Sequence, residues 1–508
     1  MAGYLIGVDI GTQGTKAALF DTALGERAAA FEPSRLISPE PGTVWQEPDD
    51  LYRSCANAIR SLMEQSGVRP SDVLAVGLDG QMAGIMGVDE NGEATTCYDS
   101  WLDMRCGKYM DLMREKAGKR IIRVSGGPVT YIHGPKILWW KNERPEAYQR
   151  TAYFVLPHAY VVGKMTGLRG DEIYFDYTHL HFSTFGDNEK KAWSGELLDL
   201  FDVDRAKMAR IVSPFTIVGG TTREFAALSG LAEGIPVAAG CGDTAAGTFG
   251  SGMFEPGKLL DCAGTASVLC SVVDAYVPDT AHETMTMMRS PIDGLWLPLA
   301  YINGGGMCVR WFRDTLAGTP CAGYDELQAE AERIPAGSEG VLFIPHFSGR
   351  VLPNNPYLKG GFLGLDFRHT RGHLYRAVLE AVAYEYRYYL SVLHELYPQV
   401  GFGRLSVIGG GAKSPLFNQI KADVLGVSVE TFQTGETALI GSAVIAGCGA
   451  GVLDDYRGPI QSVMRKKAAY AADLRNTERY RVFADAYLAA MEHLTGFYQE
   501  HMYRKAAD

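Results

Sequence analysis

The sequence predicts an α/β protein built from two related halves, and three observations carry that expectation. The chain opens on an apolar strand, a glycine turn and a second apolar strand, Tyr4 to Asp21. Lys258 to Val273 repeats the arrangement about 250 residues later, with Gly264-Thr265-Ala266-Ser267 at the bend. Elsewhere buried apolar runs end in polar and glycine residues ahead of helices, where α/β proteins place ligands.

The first hairpin places Asp9, Gly11, Thr12, Gln13, Gly14, Thr15 and Lys16 at and around its bend. A bend that only closes a hairpin needs the glycines. A phosphate site uses the rest: backbone N–H groups exposed by glycine, hydroxyl donors, and the charge of Lys16. Asp9 would repel a phosphate, so it is read as a holder of Mg²⁺, which takes oxygen ligands from one or two carboxylates plus substrate phosphates. The P-loop pattern is absent. The arrangement resembles instead the first phosphate loop of the actin, hexokinase and sugar-kinase superfamily.

Pro48, Asp49 and Asp50 open an amphipathic helix over about Leu51 to Gln65, with its acids in the first turn. Val73–Leu78 reads as a buried strand ending in Asp79-Gly80-Gln81-Met82-Ala83-Gly84. In Trp101-Leu102-Asp103-Met104-Arg105, an extended backbone would put Trp101, Asp103 and Arg105 on one face. An aromatic, an acid and a base together suit a polyhydroxylated ligand; a surface salt bridge beside a packed tryptophan is the other reading. Tyr131 to Asn142 predicts a helix from Pro135, with further helical pattern from Glu146 to Lys164. His179 and His181 form an H-x-H pair that lacks a third ligand nearby in sequence and reads as structural.

Ile235–Ala239 is a second buried strand, followed by Gly240-Cys241-Gly242-Asp243-Thr244-Ala245-Ala246-Gly247. Asp243 either caps the helix behind it or meets a ligand in the room left by small neighbours. Three glycines precede a helix at Ile302 to Arg313. Leu405–Ile408 leads into Gly409-Gly410-Gly411-Ala412-Lys413-Ser414 and a helix from Pro415 to Leu425, a turn suited to a flat or anionic ligand. Glu436 to Ala446 is a small-residue helix able to pack closely on a neighbour, and Thr477 to His501 is an amphipathic C-terminal helix.

Composition narrows the function. The 508 residues carry a net charge of −11 with no long basic run, which argues against nucleic acid as partner. No window of about 18 uncharged apolar residues suggests a membrane span. The N-terminus enters a strand with no leader pattern. Nine cysteines without C-x-x-C read as reduced thiols of a cytoplasmic protein, with Cys241 a small buried residue.

Taken together these residues resemble the FGGY family of carbohydrate kinases, in its xylulokinase-like branch, from Tyr4 to about Cys448. One family signature is supplied by Gly360, Phe362, Gly364, Leu365, His373, Leu374, Ala377, Val378, Leu379 and Glu380. The resemblance implies two ribonuclease-H-like domains of the actin and hexokinase type flanking a central cleft, residues 1–248 binding sugar and residues 249–508 binding ATP. It implies Asp243 as catalytic base and, with Asp9, a metal residue. Thr12, Gln13, Lys16, Gly264, Thr265, Gly306, Arg310, Gly411 and Ala412 would border ATP. Tyr131, Gln81, Met82 and Ala83 would border the acceptor, joining Trp101, Asp103 and Asp243. The activity implied is transfer of phosphate from ATP, with Mg²⁺, to a primary hydroxyl of a small sugar, a ketopentose such as D-xylulose. Xylulokinases carry Gln-Met-His-Gly where this chain has Gln81-Met82-Ala83-Gly84, so another ketose, a branched sugar or a tetritol is the alternative. An actin-like ATPase and a sugar-sensing regulator are the readings from other classes. Relatives of this kind are commonly dimers.

Overall fold

The computed structural model describes residues 3–318 and 323–502. Two mixed sheets form its frame. In the N-terminal half the hydrogen-bonded order is Ile217–Gly220, Pro236–Ala238, Val73–Gly80, Tyr4–Ile10, Gly14–Asp21, Glu26–Pro33. In the C-terminal half it is Lys466–Tyr470, Ser428–Phe432, Arg404–Ile408, Lys258–Ala263, Ser267–Ser271, Trp296–Ile302, with Thr286–Arg289 at the far edge. The senses agree strand for strand. In each half a hairpin gains an antiparallel third strand on one side, and two parallel strands then an antiparallel one on the other. The duplicated GT hairpin therefore marks a duplicated sheet.

Local sequence explains the covering helices. Pro48–Ser66 starts with proline at its first turn, turns Leu51, Cys55, Ile59 and Leu62 inward, and stops at Gly67 in a left-handed conformation. Arg371–Leu396, which carries much of the family signature, opens with a capping box between Thr370 and His373 and is buried along most of its length. The helix predicted from Pro135 begins two residues earlier and spans His133–Glu143; proline fits any first-turn position, because the early helical N–H groups lack intrahelical partners anyway. The strand expected to end at Leu78 runs on to Gly80. No strand forms at Trp101–Arg105, which is a turn.

The two halves are sewn together by one helix. Thr437–Gly449 follows a strand of the C-terminal sheet but lies on the N-terminal sheet and on helix Asp243–Gly250. The contact is backbone to backbone. A Cβ on Gly7 would sit 2.0 Å from the Leu439 carbonyl oxygen, and one on Gly77 would sit 1.9 Å from that of Ser442. Gly250 and Gly441 permit the same approach between the two helices. Leu5, Ala75, Phe249, Leu439, Ala443 and Ala446 then share one core that spans both halves. The small-residue pattern from Glu436 onward is what allows this packing. Among the described residues no helix is long and apolar enough to cross a membrane, and all eight cysteines are free thiols.

Candidate active site

Parallel pairing brings two acids together. Asp9 stands opposite Asp79 in the register of Tyr4–Ile10 and Val73–Gly80, and opposite Lys16 across the hairpin. Cys241 pairs with Asp79 on its other side, which delivers Asp243 as the first residue of its helix. Three carboxylates thus meet at one end of the N-terminal sheet. Burial first, and then the charge of Asp243, pushes the Asp9 carboxyl up to about 6. Burial and the charge of Asp9 push Asp79 well above the usual range. One oxygen of Asp79 accepts a hydrogen bond from Ser442 at 2.6 Å, and the raised Asp79 carboxyl is hydrogen-bonded to Asp9, which it helps to keep charged. Asp243 is also raised by burial, against the opposing pull of the Thr244 N–H and hydroxyl on its Oδ1. Lys16 gives only partial relief, because its ammonium lies 3.3 Å from Glu436. Two carboxylates facing one cleft, with a lysine already shared with Glu436 as the nearby cation, fit a hard divalent cation. Asp9 and Asp243 face the cleft, and the fully buried Asp79 stands behind them.

The cleft between the halves has a volume of about 510 Å³. Asp9, Lys16, Asp243 and Thr244 line it from one half; Cys262, Gly409, Gly410, Lys413 and Glu436 line it from the other. Of the sequence-derived phosphate and nucleotide residues, Lys16 lines this space. The N–H of Met307 donates to the Thr265 carbonyl at 3.0 Å. A Cβ on Gly306 would meet the Gly264 oxygen at 2.0 Å, so that helix start is locked to the second hairpin. Gly411 and Ala412 belong to a single 3₁₀ turn, Gly410–Lys413, and Gly411 packs on Ala263. Gln13 and Arg310 are exposed.

The acceptor-side residues gather around the first hairpin. Gln81 is buried, and its amide donates to Gln46 at 2.6 Å and to the Gly11 carbonyl at 3.4 Å. Trp101 Nε1 donates to the Thr12 hydroxyl at 3.0 Å. Met82 packs against Gly242, next to Asp243. Ala83 adopts a left-handed φ of 63°, and Tyr131 is half-buried. The one-face arrangement of Trp101, Asp103 and Arg105 is corrected. Asp103 is buried, and its carboxylate accepts from the Val44 N–H at 2.8 Å and from Arg105 Nε at 2.8 Å. Arg105 also reaches Asp99 at 2.6 Å and lies over Trp139. The salt bridge that forms is largely buried, not on the surface, and its tryptophan is Trp139 rather than Trp101.

Asp243 is more than a helix cap. Its cap position is taken by Gly242, whose N–H donates to Thr178 Oγ1 at 3.1 Å. Thr178 donates in turn to Asp176. Asp176 collects His179 Nδ1 at 2.8 Å and His158 Nε2 at 3.1 Å on one oxygen. Burial alone would raise Asp176, but the two imidazoles hold it far below the carboxylate range. One histidine of the H-x-H pair therefore gains two partners: His179 joins Asp176, three residues earlier, and His158, which the sequence places 21 residues away. His181 stays apart from that cluster, buried against the Thr178 backbone.

Residues 4–250 match the N-terminal domain, and residues 262–450 the C-terminal domain, of the FGGY family of carbohydrate kinases. The chain belongs to that family. As an FGGY kinase it is similar along nearly its whole length to a xylulose kinase of Bacillus subtilis (strain 168), at 27% identity over 95% of this chain and 96% of the relative. It is as similar to glycerol kinase 2 of Thermotoga maritima, at 27% identity over 95% of this chain and 97% of that one. The crystal structure of a gluconate kinase from Lactobacillus acidophilus superimposes with a TM-score of 0.91 at 20% identity, covering 98% of this chain and 100% of that one.

The buried histidines give the kinase a pH signature. Burial lowers His133 and His158 and takes His181 down to about 3. A group lowered in the fold contributes stability above its unfolded pKa near 6.5 and loses it as pH falls through that value. Asp9 and Asp99, both raised to about 6, act in the opposite sense between their unfolded pKa and 6, so the test is differential. Between pH 7.5 and 5 the parent chain should lose about 2 kcal/mol more than His181→Phe in urea unfolding. Equal losses would remove His181 as a buried neutral imidazole.

Proposed function

We propose that this FGGY kinase transfers the γ-phosphoryl group of ATP to a primary hydroxyl of a small uncharged sugar, with a ketopentose such as D-xylulose first among candidates. One observation carries the proposal: Asp243, with one oxygen held by Thr244, lines the same cleft as Asp9 and Lys16 of the first hairpin. Asp243 accepts the hydroxyl proton as the oxygen attacks phosphorus. Lys16 and the two glycine hairpins hold the phosphates, and the Gly410–Lys413 turn borders the adenosine. Mg²⁺ held by Asp9 and Asp243 supplies charge neutralisation when bound. Closure of the halves would keep water from the transferring group.

Charge favours a neutral acceptor over an aldonate such as gluconate. The two cations on the acceptor segments are already committed, Arg105 to Asp99 and Asp103 and Lys136 to backbone carbonyls. A substrate carboxylate would instead meet the field of Asp9, Asp79 and Asp243. Ala83 lacks the donor a histidine would offer, and a lost hydrogen bond to a bound hydroxyl costs about 1–3 kcal/mol. A branched sugar or tetritol that fills the space beside Ala83 is therefore the second reading.

The test is coupled ADP release with Mg²⁺, ATP and a panel of ketopentoses, branched sugars, tetritols, glycerol and gluconate. A neutral sugar or polyol should give the highest kcat/KM. Gluconate in first place would overturn the neutral-acceptor reading. ADP release indifferent to every acceptor would overturn the acceptor reading as a whole.

A further inference from the structure

Lys136 is almost fully buried, 1% exposed, on the inner side of helix His133–Glu143. Its ammonium lies 2.7 Å from the Tyr131 carbonyl, 2.8 Å from the Ser100 carbonyl and 3.2 Å from the Ala83 carbonyl. An ammonium offers three protons and accepts none, so three carbonyls use its full capacity. They come from segments 5, 36 and 53 residues away along the chain. These are the segments that carry Tyr131, Trp101 with Asp103, and Met82 with Ala83.

The surroundings show that the charge has a purpose beyond filling space. Burial pushes the Lys136 ammonium down, while Cys106, Asp99 and Asp103 oppose that and Arg105 adds to it. Two cations and two carboxylates balance in this pocket wall. A methionine would fill similar volume without the cost of removing a charge from water. It would leave the Tyr131 and Ala83 carbonyls without a donor, the latter in its left-handed conformation, and would leave Ser100 only the Asp103 N–H it already accepts at 3.0 Å. A single point charge thus replaces three separate hydrogen bonds and fixes the relative positions of three loops.

We propose that Lys136 is the positioning residue of the acceptor pocket: its three hydrogen bonds set the spacing of the Ala83, Trp101 and Tyr131 segments, and so the acceptor affinity. The proposal rests on the reading of these segments as the acceptor side. It predicts a split between substrates. In the full-length chain, Lys136→Met should raise the acceptor KM about tenfold or more while the KM for ATP stays within about twofold. Lys136→Gln, which keeps two donors, should recover part of that loss. Hydrogen exchange should quicken in residues 81–84, 98–105 and 129–132 of the variant, and not in residues 258–271.

An acceptor KM unchanged in a variant of lowered Tm would overturn the proposal, as would a parallel rise in both KM values. Should neither variant fold, exchange in the unaltered chain decides: the three segments should open together with one free energy, and independent opening would refute the shared pin. Tyr131→Ala separates this from the underlying reading. If Tyr131→Ala leaves the acceptor KM unchanged, the pocket assignment fails. If it raises that KM and Lys136→Met does not, only the role of Lys136 fails.

Discussion

Asp243→Asn should lower kcat at least about a hundredfold while the fold stays intact. A positioned general base typically contributes about 10²–10⁴-fold, or roughly 3–5 kcal/mol of barrier. Asparagine has nearly the same shape, and its carbonyl oxygen can still receive the Thr244 N–H and hydroxyl that Asp243 Oδ1 receives now. Gly242 remains tied to Thr178 through its own N–H, so the helix start should not move. What the amide cannot do is take a proton at the oxygen facing the cleft. The substitution also removes one negative charge from the Asp9–Asp79–Asp243 group, which by itself would stabilise the apo protein. Steady-state turnover and a thermal melt on the same preparation check both halves of the expectation. Turnover within about tenfold of the parent would exclude Asp243 as the base, and a lowered Tm would show that the carboxylate is needed for folding.

Local chemistry made much of this site legible in the sequence. Asp9, Lys16, Asp243 and the Gly409–Ser414 turn each sit at a strand end beside glycine, and a strand end with glycine is a local pattern. The duplicated hairpin announced the duplicated sheet for the same reason. Asp79 is legible in the sequence only as the polar end of an apolar strand that leads into a ligand-placing segment. Its role comes from lying parallel to Asp9, and strand order is not a local property. Gln46, Lys136 and Glu436 were invisible for that reason too: each acts on segments tens to hundreds of residues away. Alternation would put Trp101, Asp103 and Arg105 on one face only in a strand. Here Asp103 is drawn inward by the N–H of Val44, 59 residues earlier, and the chain turns instead.

Gly77→Ala should cost about 3 kcal/mol and also lower kcat, because the same contact holds the cleft together. The added Cβ would lie 1.9 Å from the Ser442 oxygen, 2.7 Å from its carbonyl carbon and 3.1 Å from the Ala446 Cβ. Two of those obstacles are backbone, so no side chain can rotate away. Relief requires helix Thr437–Gly449 to lift off the N-terminal sheet. That helix begins at the cleft, where Gly435, Glu436, Thr437 and Ala438 form part of the wall, and Ser442 holds Asp79. Lifting it therefore moves Glu436 relative to Lys16 and releases the Asp79 carboxylate. Gly163→Ala is the control: it lies in helix Pro157–Thr166 with nothing within 4 Å of the new methyl group. There alanine should be neutral or stabilising by up to about 1 kcal/mol, as glycine is the poorer helix residue. Urea unfolding and kcat for both variants test the coupling. A Gly77→Ala chain as stable and as active as Gly163→Ala would mean that this helix does not bind the halves through Gly77.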